Sequence, residues 1–179
     1  MKVLVLGGTG FIGRHAVQSL LARGVATVIG TRDPAHALAK VPQLAARCEL
    51  RAAHLERLLS PEDWAPLLEG IDAVINSVGI LRQRWAETYD RVHHLAPGAL
   101  ASACARRGIR LVHVSALGLH AQARSRFLTS KLRGEAAIRA SGADYSIARP
   151  SLLEGEGGYG AYWTGPSPQS PSFEFIIQM

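Results

Sequence analysis

Residues 127–131 read Phe-Leu-Thr-Ser-Lys. Four positions separate the ring from the ammonium, which places both on one face of a helix. A phenol beside a lysine is an acid–base pair, because the cation draws the phenol pKa toward working pH. Phe127 has no hydroxyl and can neither give nor take a proton. Lys131 is one of only three lysines beside seventeen arginines, so a chance lysine here is less expected than a chance arginine. At about 100° per residue, Ser130 points to one side of Lys131 and Thr129 nearly opposite. Other stand-in acids are Ser115 at a strand end, Tyr89 on a helix, and His93 and His94 one turn further on. Histidines there could titrate near neutrality. Each has a plainer reading: Tyr89 as a core or surface ring, the two histidines as polar helix residues. His113, inside a strand, reads as buried.

A second stretch carries phosphate chemistry. Gly7 to Gly13 reads GGTGFIG and fits G-x-x-G-x-x-G between an apolar strand and a helix. Gly7 permits a tight turn, Gly10 lets backbone approach a pyrophosphate, and Gly13 lets the helix close onto the sheet. Thr9, Phe11, Ile12 and Arg14 complete the turn and the first helical residues. The helix N-terminus offers N–H groups and a positive dipole end. The next strand ends in Gly30-Thr31-Arg32. A carboxylate there would bind the ribose 2′-hydroxyl of NAD; a guanidinium pairs with the 2′-phosphate of NADP. Arg32, with Arg14 adding charge and Asp33 spent as a helix cap, points to NADP(H) rather than NAD(H).

The elements that must position these groups alternate. Strands are expected in KVLVLG, ATVIGTR, CELRAA, DAVINSVG, IRLVHVSALG and DYSIARP. Helices are expected at 11–24 with Gly24 as a stop, at 33–40 with Asp33 as N-cap, and at 60–70 with Ser60, Pro61 and Asp63 in a capping-box start. A long helix is expected over 84–107, kinked at Pro97, and another over 125–141. Six strands separated by helices predict an α/β fold, a doubly wound parallel Rossmann sheet in the order 3-2-1-4-5-6. Residues 1–150 form the dinucleotide-binding domain. Residues 151–179 hold five glycines, three prolines, four serines and three acids with no Lys or Arg, so the first 150 residues carry +9. That truncated or irregular tail is expected to be mostly loop with a short FEFII strand, the remnant of a substrate domain.

Composition narrows the function classes. The chain has 179 residues, 47% hydrophobic, with net charge +6. Its arginines are scattered and only 6% of residues are aromatic, so the basic stripe of a nucleic-acid binder is missing. The charge instead suits phosphate-bearing ligands. Cys48 and Cys104 lack metal-ligand spacing, and a reducing, cytoplasmic location fits. No apolar run reaches about 20 residues, and GGTG interrupts MKVLVL too early for a signal peptide.

Taken together, GGTGFIG, EGIDAVINSVG, VHVSALG and RFLTSKLRGEAAIRASGADYSIARPS resemble the short-chain dehydrogenase/reductase superfamily over residues 1 to about 158. The resemblance is to its atypical and extended, NAD(P)-dependent epimerase/dehydratase-like branches. Within them the chain is most similar to the nucleotide-binding accessory subunit of respiratory complex I and its bacterial relatives. The resemblance implies that Gly7, Gly10, Phe11, Ile12 and Gly13 hold the pyrophosphate and that Arg32 meets the 2′-phosphate. It places Ser77, Val78 and Gly79 along the adenosine and ribose side. Ser115 and Ala116 would sit near the nicotinamide, Lys131 on its ribose, and Arg149 and Pro150 at its flank. It also makes Phe127 the position of the usual catalytic tyrosine, with Ser115 and Lys131 the remaining catalytic pair. His54-Leu55-Glu56 departs from the usual adenine-binding acid, and the tail after about Gly158 departs from the family.

Two functions follow as expectations. One is an NADP(H)-binding protein with little ordinary reductase activity, in an accessory, structural or redox-sensing role. The other is an active NAD(P)-dependent oxidoreductase, epimerase or dehydratase with a non-tyrosine acid. The partner is the dinucleotide, with an unknown small molecule or protein beside it, and the chain is read as a truncated or frameshifted form of a longer one.

Overall fold

The computed structural model describes residues 1–151. The apolar runs form six parallel strands: β1 (Lys2–Leu6), β2 (Ala26–Thr31), β3 (Glu49–Ala52), β4 (Ala73–Asn76), β5 (Arg110–Val114) and β6 (Tyr145–Ala148). They lie in one sheet in the order β3-β2-β1-β4-β5-β6, as the alternation predicts. β1 shows how the sheet divides its surroundings. Val3 and Val5 pack with Ala16 and Val17 of helix α1 (Phe11–Ala22). Leu4 and Leu6 join Trp64, Leu100, Leu111 and Ile138 in the larger core on the other face. Alternating side chains of a strand buried on both faces require this two-sided filling.

The small helices follow their caps. Asp33 accepts from the His36 N–H at the start of α2 (Pro34–Lys40), and α3 (Pro42–Ala45) follows at once. Ser60 and Asp63 form the expected capping box, but it opens two short 3-10 turns, 61–64 and 66–68, rather than an α-helix. Pro66 is the cause, since it has no N–H to give the α-helical bond back to Glu62.

The long helix expected from residue 84 does not form there. Residues 84–87 make a tight turn closed by Arg84 N–H to Glu87 O at 3.2 Å and the reverse bond at 2.8 Å, with Trp85 at φ +48°. Helical structure begins at residue 89, passes through a π-helical turn over Arg91–Leu95, and continues as α4 (Ala96–Ala105). Pro97 has no N–H for the carbonyl of His93, four residues back, and the widened turn precedes it. That turn packs on α5 (Arg126–Ala140) at Gly134, where an added Cβ would stand 1.9 Å from the His93 carbonyl oxygen. Backbone cannot yield as a side chain can. Gly134→Ala is therefore expected to cost about 3 kcal/mol, read from urea unfolding.

Candidate functional site

Gly7, Arg32, Ser77 and Ser115 directly follow the carboxyl ends of β1, β2, β4 and β5, where the strands hand over to their loops. Gly7 leaves β1 at φ +75° and its N–H donates to Gly30 O at 2.9 Å. Gly10 N–H turns back to Gly7 O at 2.8 Å. A Cβ on Gly13 would sit 2.1 Å from Gly7 O, so only glycine lets α1 approach this closely. Gly10, the N-cap of α1, has no side chain to cap it, and the first turn carries no acid. Its N–H groups are thus turned toward the loop, a cradle with the chemistry to take phosphate oxygens.

The end of β2 holds a contact that the sequence did not suggest. Arg32 projects past β2 and pairs with Glu87 at 2.5 Å, from the turn that Trp85 bends. Glu56 is buried, with Oε1 3.4 Å from His54 Nδ1 and 3.6 Å from Arg57 Nε. Its Oε2 has no hydrogen-bond partner among the described residues.

Polar side chains fasten the loop after β4. Ser77 Oγ donates to Leu6 O at 2.7 Å, and Asn76 Oδ1 accepts from Val78 N–H at 3.2 Å. Asn76 Nδ2 faces His113 Nδ1 at 3.2 Å. An amide nitrogen can only donate, so His113 Nδ1 is the acceptor and its proton lies on Nε2. His93 Nε2 accepts from Ile80 N–H at 3.0 Å, which puts its proton on Nδ1, 3.0 Å from Ser130 Oγ. Ser130 in turn donates to Phe127 O at 2.8 Å. Ser130 is therefore committed to structure and is no substitute acid.

His93 corrects an expectation. It is not a polar helix residue titrating near neutrality. It is 2% exposed, and burial, with the charge of Lys131 next, lowers its pKa to about 3. His113 is likewise buried and lowered to about 3, by burial first and Lys131 second. Both are neutral struts. His94 instead pairs with Asp90 at 2.9 Å. Tyr89 stacks on His93 with centroids 5.4 Å apart, meets Phe127 edge-on at 6.0 Å, and donates its hydroxyl to Leu81 O at 2.6 Å.

Lys131 is buried at 7% exposure, so it is no solvated helix lysine. Its Nζ lies 5.6 Å from the Phe127 ring centroid, and a Cβ on Gly79 would stand 3.7 Å from it. Burial lowers its pKa to about 8, against the opposing pull of Glu135. Ser115, just past β5, is buried, and its Oγ lacks a hydrogen bond of good geometry among the described residues. The nearby Glu135 was missed in the sequence, although its i+4 spacing from Lys131 was the available signal. Glu135 is fully buried. Arg149 holds it with two bonds, Nε at 2.8 Å and a shorter one from Nη2, and Arg139 adds one at 2.9 Å. Burial pushes its carboxyl up, but the Arg149 bonds, with help from Ser115 and Arg139, bring it down to about 2. Arg149 is thus spent on Glu135 rather than free at the cleft.

A family model described as NAD(P)H-binding matches residues 7–173. The chain is 31% identical to a ceramide reductase of Caulobacter vibrioides over 156 residues, covering 87% of this chain and 47% of that one. It is 28% identical to an uncharacterised chloroplastic protein of Arabidopsis thaliana, covering 87% and 60%. The chain thus spans about half the length of the curated relatives it matches. Among solved structures, a Bacillus halodurans protein described as an NAD-dependent epimerase/dehydratase superposes with TM-score 0.70 at 25% identity, over 87% of this chain and 72% of that one. The glycine cradle, the sheet order and these matches agree: the chain belongs to the NAD(P)H-binding family, within the atypical, epimerase/dehydratase-like short-chain dehydrogenase/reductase superfamily.

Proposed function

We propose that this chain binds NADP(H) in preference to NAD(H), and that with Phe127 at the acid's position its ordinary reductase turnover is slight. Its role is then accessory, structural or redox-sensing. The observation that carries this is a pair of buried polar groups that the protein partners incompletely. Among the described residues Ser115 Oγ has the Glu135 carboxylate near it but no hydrogen bond of good geometry, and Lys131 Nζ has an aromatic face and the charge of Glu135. Burying such groups unsatisfied costs stability unless something else meets them. A ribose and carboxamide supply the missing acceptors and donors. Gly7, Gly10, Phe11, Ile12 and Gly13 would hold the pyrophosphate, Arg32 the 2′-phosphate, and Ser77, Val78 and Gly79 the adenosine side. Pro150 would border the nicotinamide end, and residues 151–179 would be what this chain keeps of a substrate domain.

NADPH titrated by fluorescence, followed by a carbonyl-substrate screen, tests the proposal. Micromolar binding without turnover supports it, and NADH binding as tightly as NADPH removes the Arg32 part. The Arg32–Glu87 pair gives a finer check. An exposed pair contributes up to about 1 kcal/mol. Freeing Arg32 by Glu87→Gln is therefore expected to tighten NADPH about two- to fivefold relative to NADH in the same titration.

A second reading is favoured by the Lys131 environment and by the relative named as a ceramide reductase. NADPH supplies hydride to a carbonyl carbon when bound. An ammonium with a pKa of about 8 can donate the matching proton to the carbonyl oxygen near neutral pH, without a tyrosine. The substrate class would be a carbonyl on a long-chain lipid. Turnover would then fall as pH rises through about 8 and vanish in Lys131→Ala.

A further inference from the structure

The two loops beside the cofactor cleft carry an unusual surface. After β4, Leu81 is 68% exposed and Trp85 fully exposed; after β5, Leu117 is 62% exposed. β4 and β5 are neighbours in the sheet, so their loops leave the same edge side by side. The two loops meet where Gln83 and Arg126 line one cleft, and along them Arg82, Arg84, Arg124 and Arg126 are all exposed. No acid lies within residues 77–86 or 115–126. The two acids that follow the first loop are engaged elsewhere, Glu87 with Arg32 and Asp90 with His94 and Arg133.

We propose that this face docks on an anionic lipid surface. Trp85, Leu81 and Leu117 enter the headgroup boundary, and the four guanidiniums pair with lipid phosphates. Each part of the patch fits that occupant. Tryptophan favours the membrane–water interface, and apolar side chains set in a cationic rim bind by burial and charge together. A second copy of the chain fits poorly, because a two-fold axis would set arginines against arginines. Nucleic acid would use the arginines but gain little from two leucines. Docking in this way would turn the cleft holding Ser115 and Lys131 toward the bilayer. The proposal does not depend on which cofactor is preferred or on whether turnover occurs.

Co-sedimentation of the full chain with phosphatidylcholine vesicles, with and without phosphatidylglycerol, tests it. Binding is expected only with phosphatidylglycerol, weakening with salt and by about fivefold for each arginine neutralised. Trp85→Ser, Leu117→Ser and the pair Arg82→Gln with Arg124→Gln should each reduce it, with unchanged thermal midpoints showing that they fold. Four results would overturn the proposal. One is no binding to the anionic vesicles. Another is binding indifferent to every variant. The others are a dimer that Trp85→Ser splits and a duplex-DNA complex lost in the same variants.

Discussion

Phe127→Tyr is expected to raise carbonyl-dependent NADPH oxidation about 10²–10⁴-fold, the usual size of general acid–base help. The surroundings of the ring make this more than a formal reversion. Phe127 is half-buried, with its face toward Lys131 and its edges against His93 and Tyr89. A phenol there gains a cationic neighbour, which favours its ionised form and brings its pKa nearer working pH. Initial rates of NADPH oxidation with a panel of ketones would measure the gain. An unchanged rate, together with loss of wild-type turnover in Lys131→Ala, would instead mark Lys131 as the acid. The pH profiles separate the two cases further, because an ammonium donor fails as pH rises through about 8.

The second large effect is on stability in acid. His93 and His113 are both lowered from 6.5 to about 3 in the fold. Below pH 6.5 the unfolded chain binds a proton at each histidine and the folded chain does not. Stability contributed by the neutral struts is therefore present above that pH and is lost as pH falls. The loss is expected to run at about 1.4 kcal/mol per pH unit for each histidine, beginning near pH 6.5. Glu135 adds its own loss only lower, between its ordinary 4.5 and about 2. Lys131 acts at the other end: its folded pKa lies below its ordinary 10.5, so stability rises with pH between about 8 and 10.5. Urea unfolding at several pH values measures all three windows. Equal stability at pH 7 and pH 5 would contradict the account of the two histidines.

Much of this was legible in the sequence. Strand runs, the glycine turn, Asp33 and the Ser60–Asp63 box act within a few residues, and local signals of that kind report directly on backbone geometry. The helix expected from residue 84 failed because Trp85 and Glu87 answer to a turn that reaches Arg32, 55 residues away. His93 was misjudged for a related reason. Its polarity is visible locally, but its burial comes from Gly134 and Ser130 on another helix. Glu135 was overlooked because its partners Arg149 and Ser115 converge only once β5, β6 and α5 have packed. The expected FEFII strand lies outside the described residues. What the sequence showed least was which polar groups satisfy one another and which are left for a ligand, a distinction made by tertiary packing.

The central claim is that the glycine cradle, Ser115 and Lys131 form one cofactor site with no tyrosine acid. Fluorescence titration of NADPH into the wild-type chain, Ser115→Ala and Lys131→Ala tests it most directly. The account predicts micromolar binding to the wild type, weakened in both variants by about tenfold, the weight of one hydrogen bond to a charged or buried partner. Absence of NADPH binding by the wild type, or binding untouched by both substitutions, would contradict it.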